Sequence, residues 1–216
     1  MAQIENPARE RILARIRAAT RSALSSRPAP DTSPMFAPVS DPLERFRAEC
    51  AANATECIVV ETPSERGRAL ADLLGGIPEG EVFAQDSPRV RRALALAGTH
   101  QIRWSSEGAP SENSQAGVTL AESLVAQTGS VVISTACGGR GASLVPPIHI
   151  VLADAGQLAP DLPGAMETIW RNGTLMACSS ISVITGPSRT ADIEKILVLG
   201  AHGPRRLVVL ISRESG

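Results

Sequence analysis

The sequence predicts an α/β protein: an open, mostly parallel sheet flanked by helices, preceded by an N-terminal helical arm. Three observations predict it. Short β-branched apolar runs at 57–61, 130–134, 148–153, 181–185 and 207–211 show little polar alternation, the mark of strands covered on both faces. Helix-start signals fall among such runs, so strands alternate with helices through residues 41–216. The longest apolar runs are strand-sized, too short to cross a membrane as a helix. A chain of 216 residues accommodates one domain plus an arm. Such a domain buries roughly 70% of its extended surface, enough for a core without disulfide or metal. With 43% hydrophobic and 20% charged residues, the chain is not of the disordered class.

The elements follow in order. Residues 5–24 place Ile4, Ala8, Ile12, Leu13, Ile16, Ala19 and Leu24 at helical spacing, with Arg9, Arg11, Arg15, Arg17 and Arg21 opposite. The first 30 residues hold six arginines against Glu5 and Glu10. Those glutamates and the helix-starting Asn6-Pro7 speak against a transit peptide. A membrane-surface helix remains open, beside an arm that docks on its own domain or on a partner. Residues 25–42 carry five prolines and read as an extended linker. The expected division is therefore 1–40, arm and linker, and 41–216, the α/β domain.

Asp41-Pro42-Leu43-Glu44 is a helix start: a side-chain cap, Pro in the first turn and an acid three residues on. Residues 57–61 form a strand. Thr62-Pro63-Ser64-Glu65 opens a helix that stops at Gly75-Gly76. A strand at 81–84 precedes a helix from Ser87-Pro88 to Leu96. A short helix is expected at 119–127, and a further helix opening near Thr190 with Ile193, Ile196 and Leu197 on its buried face.

Composition narrows function. A net charge of −1 and five aromatics, none of them Tyr, argue against nucleic acid. Lys195 is the only lysine, so an anion falls to Arg forks or backbone amides. Cys50, Cys57, Cys137 and Cys178 form no CxxC, and no ligand spacing for zinc or a cluster occurs, so no metal or redox cofactor is expected in this chain. The first residues lack a signal peptide's apolar stretch, which places the expected protein in the cytoplasm.

Three segments carry chemistry. The first, after the strand at 130–134, contains Gly138, Gly139 and Arg140. Its small residues let amides approach an anion, though Leu144 and Pro146-Pro147 exclude a dinucleotide fingerprint. His149 opens the next strand and is either a satisfied core residue or a base, with Cys137 a conceivable nucleophile beside it. The second, Thr185-Gly-Pro-Ser-Arg-Thr-Ala-Asp-Ile-Glu194, brings Gly186, Ser188, Arg189 and Thr190 to an expected helix N-terminus, a recipe for a carboxylate or phosphate. Asp192 and Glu194 either complement the helix dipole or act as acid and base. The third is Gly200-Ala-His-Gly-Pro204, whose His202 lines whatever Arg189 faces. Because ligands of open α/β sheets bind beyond the carboxyl ends of strands, the loops after the strands are the expected site.

Gly117-Val-Thr-Leu-Ala, Gln127-Thr-Gly-Ser130, Pro146-Pro-Ile-His149, the 185–194 segment and Leu197-Val-Leu-Gly-Ala-His-Gly-Pro204 together resemble the LUD domain family over residues 41–212. The Thr128-Gly129 pair joins the candidate anion-binding residues on this ground, although Gln127 stands where the family has an acid. The resemblance implies a fold similar to the NagB/RpiA/CoA transferase-like group. It also implies a part in oxidising L-lactate to pyruvate, with iron–sulfur clusters held by partner subunits and a small carboxylate as substrate. Two other functions stay open. One is a stand-alone transferase, isomerase or ring-closing ligase acting on an anionic small molecule, with Glu122 or Glu167 as its carboxylate. The other is a non-catalytic binding or regulatory module.

Overall fold

The computed structural model describes residues 7–23, 37–95, 100–135, 140–190, 198–199 and 203–215. The chain divides into two units, Met1–Ala37 and Pro38–Gly216. In the first, α1 runs Pro7–Ala23, with Ile12 and Ile16 more than half exposed. The stretch 24–36, most of the expected linker, lies outside the described residues.

The second unit begins with α2 (Pro42–Ala52). Asp41 caps it by accepting from the amides of Leu43 and Glu44, as the motif requires. β1 (Glu56–Val60) leads to α3 (Pro63–Gly75), where Thr62 accepts from the Glu65 amide and the Glu65 carboxylate reaches back to the Glu61 amide. β2 (Glu81–Ala84) is followed by α4 (Pro88–Leu94), capped by Ser87. Residues 96–99, which include Leu96 at the end of the expected helix, lie outside the described residues. β3 (Gln101–Trp104), unforeseen in the sequence, precedes β4 (Ser114–Leu120), β5 (Ser123–Val125) and β6 (Ser130–Ser134). Then come α5 (Gly141–Leu144), β7 (Ile148–Asp154), β8 (Leu158–Ala159), α6 (Leu162–Arg171) and α7 (Thr174–Ala177). β9 (Ile181–Ile184), β10 (Arg189–Thr190), β11 (Val198–Leu199) and β12 (Arg206–Ser212) complete it.

Six strands form one all-parallel open sheet in the order β1-β12-β7-β4-β2-β3. Its central strands are apolar on both faces. Ile150 and Leu152 of β7 and Val208 and Leu210 of β12 point into the layer made by Leu70, Leu74 and Val90 of α3 and α4. The alternate residues Val151, Leu207, Val209 and Ile211 join Phe46 and Cys50 of α2 on the other face. A period of two with apolar residues at every position explains the unbroken runs in the sequence.

The remaining strands depart from the expected parallel pattern. β8-β5-β6-β9 form a second sheet in which β6 pairs antiparallel with β5 and β9. Val125 and Val132 of this sheet pack against Ala165 and Ile169 of α6. The runs at 130–134 and 181–184 therefore belong here, not in the parallel sheet. The helix expected at 119–127 is instead the end of β4 and all of β5. Leu124, Val125 and Ala126 are fully buried, and the Glu122 and Ala121 amides donate to Val132 and Leu152 carbonyls. A segment buried on all sides and paired at both edges is held as strand whatever its local helix preference. Arg189–Thr190 pairs antiparallel with Val198–Leu199, and residues 191–197, where the helix opening near Thr190 is expected to run, lie outside the described residues.

Candidate active site

A cavity of about 390 Å³ lies where the two sheets meet. β7 and β12 contribute their second residues, His149 and Leu207. The segments after β6 and β9 contribute Arg140, Ser143, Gly186 and Ser188, and Gly203 and Pro204 close one side. The cavity thus sits at the amino ends of β7 and β12, opposite to the carboxyl-end position expected of a parallel sheet. The reason is topological: the loops in question leave β6 and β9, antiparallel neighbours in the small mixed sheet, whose direction the sequence does not reveal.

His149 is fully buried. Its Nε2 is 2.9 Å from Thr119 Oγ1, and its Nδ1 has no partner. Burial alone pushes its pKa down to about 4, so the imidazole is neutral at physiological pH. Gly117, two residues before Thr119, pairs in register with His149 and lies under α5, where a Cβ would fall 1.9 Å from the Ala142 carbonyl oxygen. Within α5 the Ser143 hydroxyl donates to the Arg140 carbonyl, which fixes the backbone beneath the exposed Arg140 side chain. The Ser188 amide donates to Pro204 and the Arg205 amide to Pro147, tying the cavity walls together. A cation at the rim, three serine hydroxyls (Ser143, Ser182, Ser188), a neutral imidazole and apolar Leu144 and Ile184 suit a small organic anion.

A second group of candidate residues gathers at the end of α2, on the other side of Gly186. The Arg189 Nη2 donates to the Asn53 carbonyl at 2.8 Å, a cation on a helix C-terminus. Asn53 Nδ2 donates to the Thr128 carbonyl, and Thr128, Ser130 and Thr185 hydroxyls form a chain with spacings of 2.7 and 2.6 Å. Gly129 (φ 63°) and Gly186 (φ 84°) allow the α2 backbone to approach: a Cβ would lie 2.7 Å from the Cys50 nitrogen or 2.6 Å from the Asn53 oxygen. Thr128, Gly129 and Arg189 therefore hold α2 in place and do not line the cavity. Gly138, Gly139, Cys137, Asp192, Glu194 and His202 lie outside the described residues, as does the Thr190 side chain.

Neither carboxylate set aside for transfer chemistry is free. Glu122 accepts from Ser134 and Thr174, and Glu167 pairs with Arg171 on the surface. Cys50 and Cys57 sit side by side, and the Cys57 neighbour together with burial pushes the Cys50 thiol up, away from a reactive thiolate. Among the described residues no group of three or more His, Cys, Asp or Glu is placed to hold a metal. Also among them, no helix is long and apolar enough to cross a membrane. The residue that sequence reasoning passed over is Thr119, the partner of His149. Only the adjacency of β4 and β7 reveals it.

An all-parallel sheet flanked by helices and joined to a small mixed sheet beside a polar, cation-rimmed cavity makes this an α/β protein with a candidate small-ligand site. The LUD domain model matches residues 109–212. Lactate utilization protein C of Bacillus pumilus is 30% identical over 186 residues, covering 78% of this chain and 77% of that protein. Lactate utilization protein C of Bacillus subtilis is 32% identical over 161 residues, covering 66% and 67%. The chain belongs to the LUD domain family. A DUF162 family protein from Deinococcus radiodurans shares the fold, with a TM-score of 0.60 at 19% identity over 79% of this chain and 96% of that one.

Proposed function

We propose that this chain takes part in lactate utilization as the subunit that holds the small carboxylate, while iron–sulfur partner subunits carry electrons away. The observation that supports it is similarity to two lactate utilization C proteins over two thirds or more of their length. In this reading Arg140 pairs with the lactate carboxylate and Ser188 hydrogen-bonds its hydroxyl. His149, neutral and held by Thr119, polarises the floor of the cavity. Conversion of L-lactate to pyruvate releases two electrons and two protons. The partner clusters supply the electron sink, and acid–base groups of this chain take the protons. Asp192, Glu194 and His202 are the proposed groups, with the amides of Gly138 and Gly139 completing the anion cradle. The reaction takes place in the cytoplasm.

The test is dye-coupled L-lactate oxidation by the reconstituted complex, run with this chain, without it, and with Arg140→Ala or Asp192→Asn. Loss of activity on omission and a tenfold or larger rise in KM in Arg140→Ala are expected. Full activity in the absence of the chain overturns the proposal and moves attention to a stand-alone enzyme or a regulatory module.

A further inference from the structure

The opposite end of the parallel sheet carries a second polar cluster, unconnected with the cavity above. At the carboxyl end of β7, Asp154 is almost fully buried. It accepts from Arg66 Nη1 of α3 at 2.5 Å and from Arg89 Nη2 of α4. Arg66 Nη1 also donates to the Ala153 carbonyl at 2.8 Å. The Arg66 side chain is 4% exposed, and its Nε has no partner; neither has Arg89 Nε. Arg66, Arg89 and Arg92, with Ser64, line a cavity of about 200 Å³ between α3 and α4.

Three arginines thus line one cavity, Arg66 buried, Arg89 partly buried and Arg92 exposed, and the single carboxylate of Asp154 is shared by the first two. The cluster holds more positive than negative charge, and the two buried, unpartnered Nε donors of Arg66 and Arg89 favour an anion. With Nη1 on Asp154, Arg66 keeps an unpartnered Nε, and an Nε–Nη2 edge is one that grips an oxyanion through two parallel hydrogen bonds. The geometry points to a second binding site here, for a phosphate group, on Arg66, Arg89 and Arg92. A phosphate dianion matches the two excess charges, where a monocarboxylate matches one. The volume admits a free phosphate or the phosphate end of a monoester.

The test is calorimetric titration and thermal melting of the full chain with inorganic phosphate in chloride buffer, repeated with glycerol 3-phosphate. Saturable binding with a raised Tm is expected, weakened at least tenfold in Arg92→Gln and abolished in the Arg89→Gln/Arg92→Gln double variant. Arg140→Ala binds phosphate as the unsubstituted chain does. Arg92 is exposed, so its replacement leaves the fold intact, whereas Arg66→Ala strands Asp154 and is avoided. Tighter binding of the monoester assigns the site to a phosphorylated metabolite, and tighter binding of phosphate to the free ion. Absence of saturable binding up to about 50 mM, a concentration at which even a weak site fills, overturns the inference. So does binding unchanged in the double variant. Neither result bears on lactate oxidation, which is read at the other end of the sheet.

Discussion

Two residues, His149 and Gly117, bind the candidate site to the core. His149 is the only fully buried histidine among the described residues, and its pKa of about 4 lies below the ordinary 6.5. On acidification the unfolded chain therefore takes up the proton first. His149 contributes stability that is complete above pH 6.5 and lost as the pH falls from 6.5 toward 4, by about 3 kcal/mol in all. Thermal melting between pH 7.5 and 4.5 should show this slope, and His149→Gln should flatten it. Parallel slopes in both proteins would sink the assignment. Gly117 acts through space, not through its backbone angle. In Gly117→Ala the new methyl meets the Ala142 carbonyl, so α5 must lift from β4, at a cost of roughly 1–3 kcal/mol. Because α5 carries Ser143 beside Arg140, reduced ligand affinity should accompany the lowered Tm. A stable variant with normal affinity would show that α5 moves freely.

At the scale of elements, the caps were legible and the pairings were not. Asp41, Thr62 and Ser87 cap their helices as their motifs foretell, because a cap is a local exchange between a side chain and amides two or three residues on. The segment 119–127 misled, because Ala121, Glu122 and Leu124 favour helix locally while the Ala121 bond to β7 and the pairing of β5 between β6 and β8 impose strand. Of the 185–190 segment, Gly186 and Ser188 line the cavity and Arg189 does not. Arg189 was expected on a ligand, and it sits on the end of α2. Arg189→Ala should therefore lower stability by under about 1 kcal/mol, the worth of an exposed cation at a helix end. Ligand affinity should stay within about twofold, a difference of under half a kcal/mol. A tenfold loss of affinity would return Arg189 to the binding site.

For the whole molecule, the all-parallel sheet separates two polar sites to its opposite ends, with the lactate reading at the amino ends of β7 and β12 and the arginine cluster at the carboxyl end of β7. The α/β unit has its own core on both faces of the sheet, so removal of residues 1–37 should leave its Tm within about 2 °C. Pull-down of the partner subunits by the truncated and full-length chains then asks what the arm does. Lost capture with unchanged melting identifies a docking element, and equal capture rejects that role. A fall in Tm of many degrees would mean that the arm is part of the fold.

The sequence by itself determined the fold class, the strands at β1, β2, β7 and β12, and the starts of α2, α3 and α4. Those follow from apolar runs and caps whose signals are local. It also determined the family, through motifs scattered along the chain. Tertiary structure alone decided that β6 and β9 run antiparallel in a sheet of their own and that the cavity opens at the amino ends of the parallel strands. It alone brought Thr119 to His149, and Arg66 and Arg89 to Asp154. These pairs lie 30 to 88 residues apart. No local pattern encodes such a meeting, because it depends on strand order, which is set by how the two faces of the sheet are covered.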